Sequence, residues 1–102
     1  MTDRILNLLG LAKRAGMLTT GEEKTIESIQ RNRAKAVFLA SDAGSSTAKK
    51  VRDKCNYYEI PLIDDYTNEA LSSATGAPNR VVLSVTDTGF SRKMLQLKEK
   101  GK

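Results

Sequence analysis

Two apolar runs constrain this chain more than any other feature. Ala36-Val37-Phe38-Leu39-Ala40 contains no polar residue, and Arg80-Val81-Val82-Leu83-Ser84-Val85 contains a single serine after its leading arginine. A strand with one wet face alternates apolar and polar side chains. These runs do not, so each predicts a strand covered on both faces. Helical periodicity surrounds them. Ile5, Leu8, Leu9 and Ala12 share one stripe, with Asp3 or Thr2 as the cap and Gly16 as the stop. After a very short extended link, a second helix is predicted from about Gly21 to Arg31, with only Ile26 and Ile29 clearly apolar and little to bury. Ser41 to Ser46 reads as a loop. Ala48, Val51, Cys55 and Tyr58 mark a third helix. Ile60 to Ile63 is a short strand whose Pro61 suits an edge or a strand start. Thr67 or Asn68 caps a short helix bearing Ala70, Leu71 and Ala74, and Gly76 to Asn79 is a turn. Asp87 or Thr88 opens a last helix with Phe90, Met94 and Leu97 inward, and Lys98 to Lys102 is expected to be loose. Strands alternating with helices predict an α/β fold, a three-layer α/β/α sandwich around a mixed, mostly buried sheet. The 102 residues suit one domain over 1–102 with one core.

The residue inventory removes several kinds of chemistry. There is no histidine and one cysteine. That leaves no histidine base, no Cys/His zinc site and no internal disulfide. Cys55, on the stripe of the third helix, is expected to be buried and inert. No apolar run approaches the length of a membrane span and no secretion signal opens the chain, so a cytoplasmic protein is expected. The net charge is +5. Much of that excess sits near the end, where Arg92, Lys93, Lys98, Lys100 and Lys102 face only Glu99. Such a balance favours a nucleic-acid partner, though a basic tail is also an ordinary solvated helix end.

The motif with the most chemistry is Thr20-Gly21-Glu22-Glu23, which opens the second helix. Its Thr and Glu are spaced as a capping box, in which each side chain accepts from the other's backbone N–H. The box alone stabilises a helix and need do nothing else. In a basic protein, a helix N-terminus beside a glycine also suits an oxyanion or an RNA backbone. Lys13 and Arg14 fit either phosphate contact or the C-terminal dipole of the first helix. Lys49, Lys50, Arg52 and Lys54 read first as a solvated face. Asp64 and Asp65 follow a strand, where carboxylates sometimes hold Mg²⁺, but turn and capping acids are the better reading. Tyr57, Tyr58 and Tyr66 are possible stacking platforms, with packing the default for Tyr57 and Tyr58.

Ala15-Gly16, Gly21 opening a helix, and Ala34-Lys35-Ala36-Val37-Phe38-Leu39-Ala40-Ser41-Asp42-Ala43 together resemble the kink-turn RNA-binding ribosomal protein family. That family includes the large-subunit proteins "L seven Ae" and "L thirty e". Gly76 to Phe90 looks most like its bacterial YlxQ-type branch. The resemblance spans nearly the whole chain. It implies a three-layer sandwich and an RNA surface made of the second helix's N-terminus and the loop before the last strand. The family signature there is Gly-any-Asn-Glu-any-any-Lys. Gly21 matches its glycine and Glu22 the variable position. Glu23 stands where asparagine is usual, Lys24 where glutamate is usual and Glu27 where lysine is usual, while Arg31 matches a basic position one turn on. The specificity loop falls on Thr75, Gly76, Ala77, Pro78, Asn79 and Arg80. In the family the asparagine and glutamate read base edges of sheared G·A pairs and the lysine meets phosphate.

The expected function is that of a small non-enzymatic RNA-binding protein, associated with the ribosome, monomeric, and without cofactor or metal. Its expected RNA contacts are Gly21, Glu22, Glu23, Lys24, Glu27, Arg31, Gly76, Ala77, Pro78, Asn79 and Arg80. Its expected partner is structured RNA, ribosomal RNA first, and no membrane. The rival reading is a protein-interaction module on the same fold that has lost RNA binding. A weaker third is a small-ligand or nucleotide site near Asp42 and Asp64 at the strand ends.

Overall fold

A computed structural model describes residues 3–100. Thr2, the alternative cap, and the Gly101-Lys102 end of the expected tail lie outside the described residues. The element order is α1 (Arg4–Arg14), β1 (Leu18–Thr20), α2 (Glu22–Gln30), β2 (Ala36–Leu39), α3 (Ser45–Tyr58), β3 (Leu62–Ile63), α4 (Asn68–Thr75), β4 (Val82–Val85) and α5 (Thr88–Lys100). The strands form one sheet in the order β1-β4-β2-β3. β1 and β2 flank β4 antiparallel, and β3 runs parallel to β2, so the sheet is mixed. Both apolar runs supply central strands, and every residue of β2 and β4 is buried. Arg80 and Val81 lie just ahead of β4, although the Val81 carbonyl still accepts from Ala40 N at 2.7 Å.

Side chains alternate across the sheet and feed two cores. Phe38, Leu83 and Val85 meet Leu9 of α1, Leu71 of α4 and Met94 of α5 on one face. Val37, Leu39 and Val82 meet Ile29 of α2 and Val51 and Cys55 of α3 on the other. This is the three-layer α/β/α sandwich that the alternation of elements predicted. Caps end the helices where short polar side chains allow. Asp3 Oδ1 accepts from Ile5 N and Leu6 N. Thr67 Oγ1 accepts from Ala70 N, and Asp87 Oδ2 from Phe90 N. Cys55 is buried as expected, and burial pushes its thiol up to about 11, so it stays protonated at neutral pH.

The structure departs from the sequence reading in several places. The short extended link is a true strand: β1 pairs through Leu18↔Val85, Thr19↔Ser84 and Thr20↔Leu83. Three residues are too few for a period of two to declare itself. The second helix does have a buried face, but it is largely polar: Thr25, Ser28 and Ile29. These groups are satisfied internally, with Ser84 Oγ donating to Ser28 Oγ at 3.3 Å and Thr25 Oγ1 donating to Thr19 O at 3.4 Å. α3 begins at Ser45, inside the expected loop. Lys98 and Lys100 belong to α5 rather than a loose tail, and Lys98 Nζ lies 2.7 Å from Asp65 Oδ2. Tyr57 is 79% exposed, because it sits one position before Tyr58 and off the inward stripe of α3. Among the described residues, no helix is long and apolar enough to cross a membrane.

Candidate nucleic-acid interface

The end of β1, the end of β2 and the start of β4 meet along one rim of the sheet. Gly21 N donates to Val82 O at 3.1 Å, which places the start of α2 beside the residues that follow the Gly76–Arg80 loop. The two surfaces named from the sequence therefore adjoin.

The expected capping box does not form. Gly21, not Thr20, is the N-cap, and among the described residues no side chain caps α2. The reason is the missed strand: Thr20 is held opposite Leu83 at the end of β1, one residue too early to cap. Gly21 makes the corner with φ 95° and ψ 152°, a region essentially reserved for glycine. The space where a Cβ would point is open. The first-turn N–H groups of Glu22, Glu23 and Lys24 thus head a helix with no side-chain cap, at its positive dipole end.

The side chains around this end divide. Glu23 and Lys24 are exposed. Glu22 turns to α3, where Oε1 accepts from Thr47 Oγ1 at 2.6 Å and Oε2 from Lys50 Nζ at 3.0 Å. The Thr47 hydroxyl first, then Lys50, holds its carboxyl below the ordinary value of 4.5. A depressed carboxyl favours the folded state above its unfolded pKa and loses that contribution as pH falls through the folded value. Glu22→Gln should therefore flatten the fall in stability below about pH 4.5, read by thermal melts across pH 3–6, and leave the profile above that range unchanged in shape.

Glu27 pairs with Arg31 at 3.6 Å, both side chains more than 60% exposed. Such a pair is worth at most about 1 kcal/mol, so Arg31 is free to exchange it for a phosphate. Lys24, Glu27 and Arg31 line a shallow groove of about 140 Å³ together with Thr19, Ser28 and Arg33. The sequence reading missed Arg33. Asn32 has φ 59°, and this left-handed turn folds Arg33 back so that its N–H bonds Ser28 O at 2.9 Å. The triplet Arg31-Asn32-Arg33 held the available signal, since asparagine tolerates that conformation.

The loop opposite is ordered by its backbone. Gly76 ends α4 in the left-handed conformation (φ 72°), and Asn79 repeats it (φ 56°). Ala77 N donates to Ser72 O at 3.1 Å, and Arg80 N to Ser72 Oγ at 3.0 Å. Pro78 and Asn79 are exposed at the tip, while Ala77 and Arg80 are half-buried. Arg80 Nε is buried and has no hydrogen-bond partner among the described residues.

Residues weighed for other chemistry are engaged structurally. Asp42 Oδ1 accepts from Asn68 N at the start of α4. Asp64 pairs with Arg52 at 2.9 Å and Asp65 with Lys98. Among the described residues, no cluster of three potential metal-binding side chains occurs. Of the basic face of α3, Lys49 pairs with Asp53 and Lys50 with Glu22. Tyr66 donates to both carboxylate oxygens of Asp3, at 3.0 and 2.9 Å, and its ring lies 6.3 Å from that of Phe38.

A mixed four-stranded sheet between α1/α4/α5 and α2/α3, with an uncapped α2 beside an ordered loop, defines a recognisable class. Residues 3–95 match the Ribosomal protein L7Ae/L30e/S12e/Gadd45 family, and the chain belongs to that family. Within it, the chain is 45% identical over 96 residues to RNA-binding protein YlxQ of Enterococcus faecium, covering 94% of this chain and 92% of that one. It is 48% identical over 90 residues to RNA-binding protein YlxQ of Bacillus subtilis (strain 168), covering 88% and 90%. A structure of a protein of unknown function from Bacillus halodurans C superposes with a TM-score of 0.92 at 44% identity, covering 96% of this chain and 99% of that one. The Giardia lamblia 15.5kD RNA binding protein shares the fold, with a TM-score of 0.82 at 17% identity over 98% of this chain and 89% of that one.

Proposed function

We propose that this chain is a non-enzymatic RNA-binding protein that grips structured RNA, ribosomal RNA first, along the rim formed by α2 and the Gly76–Arg80 loop. The observation that carries the reading is the pairing of an uncapped α2 N-terminus, open above Gly21, with the adjoining loop that bears Arg80. Backbone N–H groups there suit phosphate oxygens, aided by the helix dipole. A phosphate that draws the half-buried Arg80 side chain outward would also give its Nε the acceptor it lacks among the described residues. Lys24, Arg31 and Arg33 continue the positive track along α2. Pro78 and Asn79 at the loop tip suit an extruded or unstacked nucleotide, the kind of site RNA readers favour. The relatives described as RNA-binding proteins support the same class of partner. Ribosome association, a cytoplasmic location and a monomeric state complete the proposal.

A protein-interaction module is the second reading. Glu22, Glu23 and Glu27 at the head of α2 favour it, because acids there oppose phosphate. Filter binding of a ribosomal RNA fragment across salt concentrations separates the two. RNA binding should show a steep loss with salt, and the paired change Arg31→Ala with Arg80→Ala should reduce the log–log slope by about 1.4–1.8, at 0.7–0.9 per phosphate lost. An unchanged slope and affinity would remove this rim from the interface.

A further inference from the structure

The basic charge of this protein is not concentrated on the layer that carries the rim. α2 bears Lys24 against Glu22, Glu23 and Glu27, Arg31 and Arg33 follow it with Arg31 paired to Glu27, and three bases of α3 are held in ion pairs with Asp53, Glu22 and Asp64. The opposite layer differs. α1 carries Arg4, Lys13 and Arg14 and no acid, and α5 carries Arg92, Lys93, Lys98 and Lys100 against Glu99. Glu99 faces away, lining the flank of α5 beside Pro61 and Leu95. Of these bases, only Lys98 is in an ion pair among the described residues.

α1 and α5 pack against each other and leave a groove of about 180 Å³ lined by Arg4, Asn7, Leu8, Lys93 and Leu97. Arg4 also borders the neighbouring hollow, where Lys98 and Lys100 stand beside Asp3, Asp65 and Tyr66; Asp65 is paired with Lys98, and Asp3 accepts from Tyr66. Lys93 and Lys100 are seven residues apart on α5, two turns along one face, or roughly 10 Å at the usual rise per residue. Arg4 joins them from the facing helix. Arg4, Lys93 and Lys100 are all exposed, so two unpaired cations, Arg4 and Lys93, line the groove and a third, Lys100, stands on the hollow that Arg4 also borders.

We infer that the α1–α5 groove is a second nucleic-acid surface, which holds the phosphate backbone of an RNA duplex without reading its bases. Neither helix presents an exposed aromatic: Phe90, the one aromatic of α5, packs on the core. The nearest aromatic, Tyr66 in the neighbouring hollow, is half-buried against Phe38 with its hydroxyl on Asp3, so backbone contact to a duplex is the mode the residues serve. One surface lies at the ends of the strands and the other between α1 and α5, so the protein clamps an irregular RNA element at the rim while a neighbouring stem lies along α1 and α5. The last turn of α5, with Lys98 and Lys100, lies beyond the residues matched to the family. The choice of RNA as occupant rests on the function proposed above.

The test uses a perfectly paired RNA duplex of about 20 base pairs, longer than the ~16 that a duplex-binding domain spans. It is titrated against the full chain at several salt concentrations. The wild type should bind it with a steep salt slope. Arg4→Gln with Lys93→Gln and Lys100→Gln should lower that slope by about two to three, more than Arg31→Ala with Arg80→Ala lowers it. Lys93→Glu alone should weaken the duplex more than Lys93→Gln does, with the melting temperature of each variant reporting its fold. If duplex binding responds to the rim variant and not to the groove variant, there is a single surface: the inference falls and the RNA-binding reading stands. The inference also falls, with the RNA-binding reading intact, if the wild type binds a looped ribosomal fragment but no plain duplex. If groove variants lose only binding to phosphatidylserine vesicles, the groove is a membrane surface and the inference falls. If neither RNA binds, both the inference and the proposed function fall.

Discussion

Phe38→Ala should cost about 3–5 kcal/mol, the range for removing a fully buried aromatic, and should lower the melting temperature by tens of degrees. Phe38 has no exposed surface and sits in β2 between β4 and β3. Its ring fills the core under α1, α4 and α5, so truncation leaves a hole that three helices would have to collapse into. A domain of this size has only about 5–15 kcal/mol in total. The loss should also reach the segment just after β2 and the cap of α1. Phe38 packs near Tyr66, whose backbone carbonyl accepts from Ser41 N at 2.8 Å and whose hydroxyl holds Asp3. Tyr57→Ala is the contrast. It removes an aromatic of similar size that is 79% exposed and should change stability by no more than about 0.5 kcal/mol. Urea denaturation of the two variants checks both values. Equal effects would mean that burial in β2 is not what stabilises this sheet.

What the sequence made legible follows from how many residues each feature spends on its signal. The central strands were plain because five or six consecutive positions lacked alternation. The stripes of α1, α3 and α5 were plain because each repeats over two or more turns. β1 has three residues, and its identity as a strand resides in its partner: only the apposition of Thr20 with Leu83 shows it. That hidden pairing also explains the failed capping box. Thr20 and Glu23 have the right spacing, but the backbone of Thr20 was already committed to the sheet. The glycine that looked like part of the box instead makes a corner that other residues avoid. Arg33 was hidden for a related reason, since a left-handed turn at Asn32, not helical spacing, brings it into the groove with Lys24 and Arg31. Charge was legible only as a total and a tail. That Arg4 lines a groove with Lys93 is a matter of helix packing, which no local pattern records.

Standard kink-turn RNA should bind this protein weakly, and Glu23→Asn with Glu27→Lys should strengthen that binding by about 1–3 kcal/mol, roughly 5- to 150-fold. Ionised Glu23 offers only acceptors, whereas asparagine offers an acceptor and two donors to the edges of paired bases. The first change is structurally cheap. Glu23 is exposed and takes part in no cap of α2, so its loss removes no helix-stabilising bond. The second change acts through two groups. Glu27 lies one turn after Glu23, on the same side of the helix, and its carboxylate is 3.6 Å from the Arg31 guanidinium. Lysine at this position removes a repulsion toward phosphate, adds a cation and releases Arg31 from its carboxylate. The opposing cost is small, because like charges four residues apart on a helix disfavour it by only about 0.2–0.5 kcal/mol. Gel-shift titration of both proteins on one kink-turn is the measurement. Tight binding by the wild type would mean that Glu23, Lys24 and Glu27 serve the contact as well as the family residues do. No gain in the double variant would mean that the rim is shaped for a different ligand, and the protein-interaction reading would then account better for three acids at the head of α2.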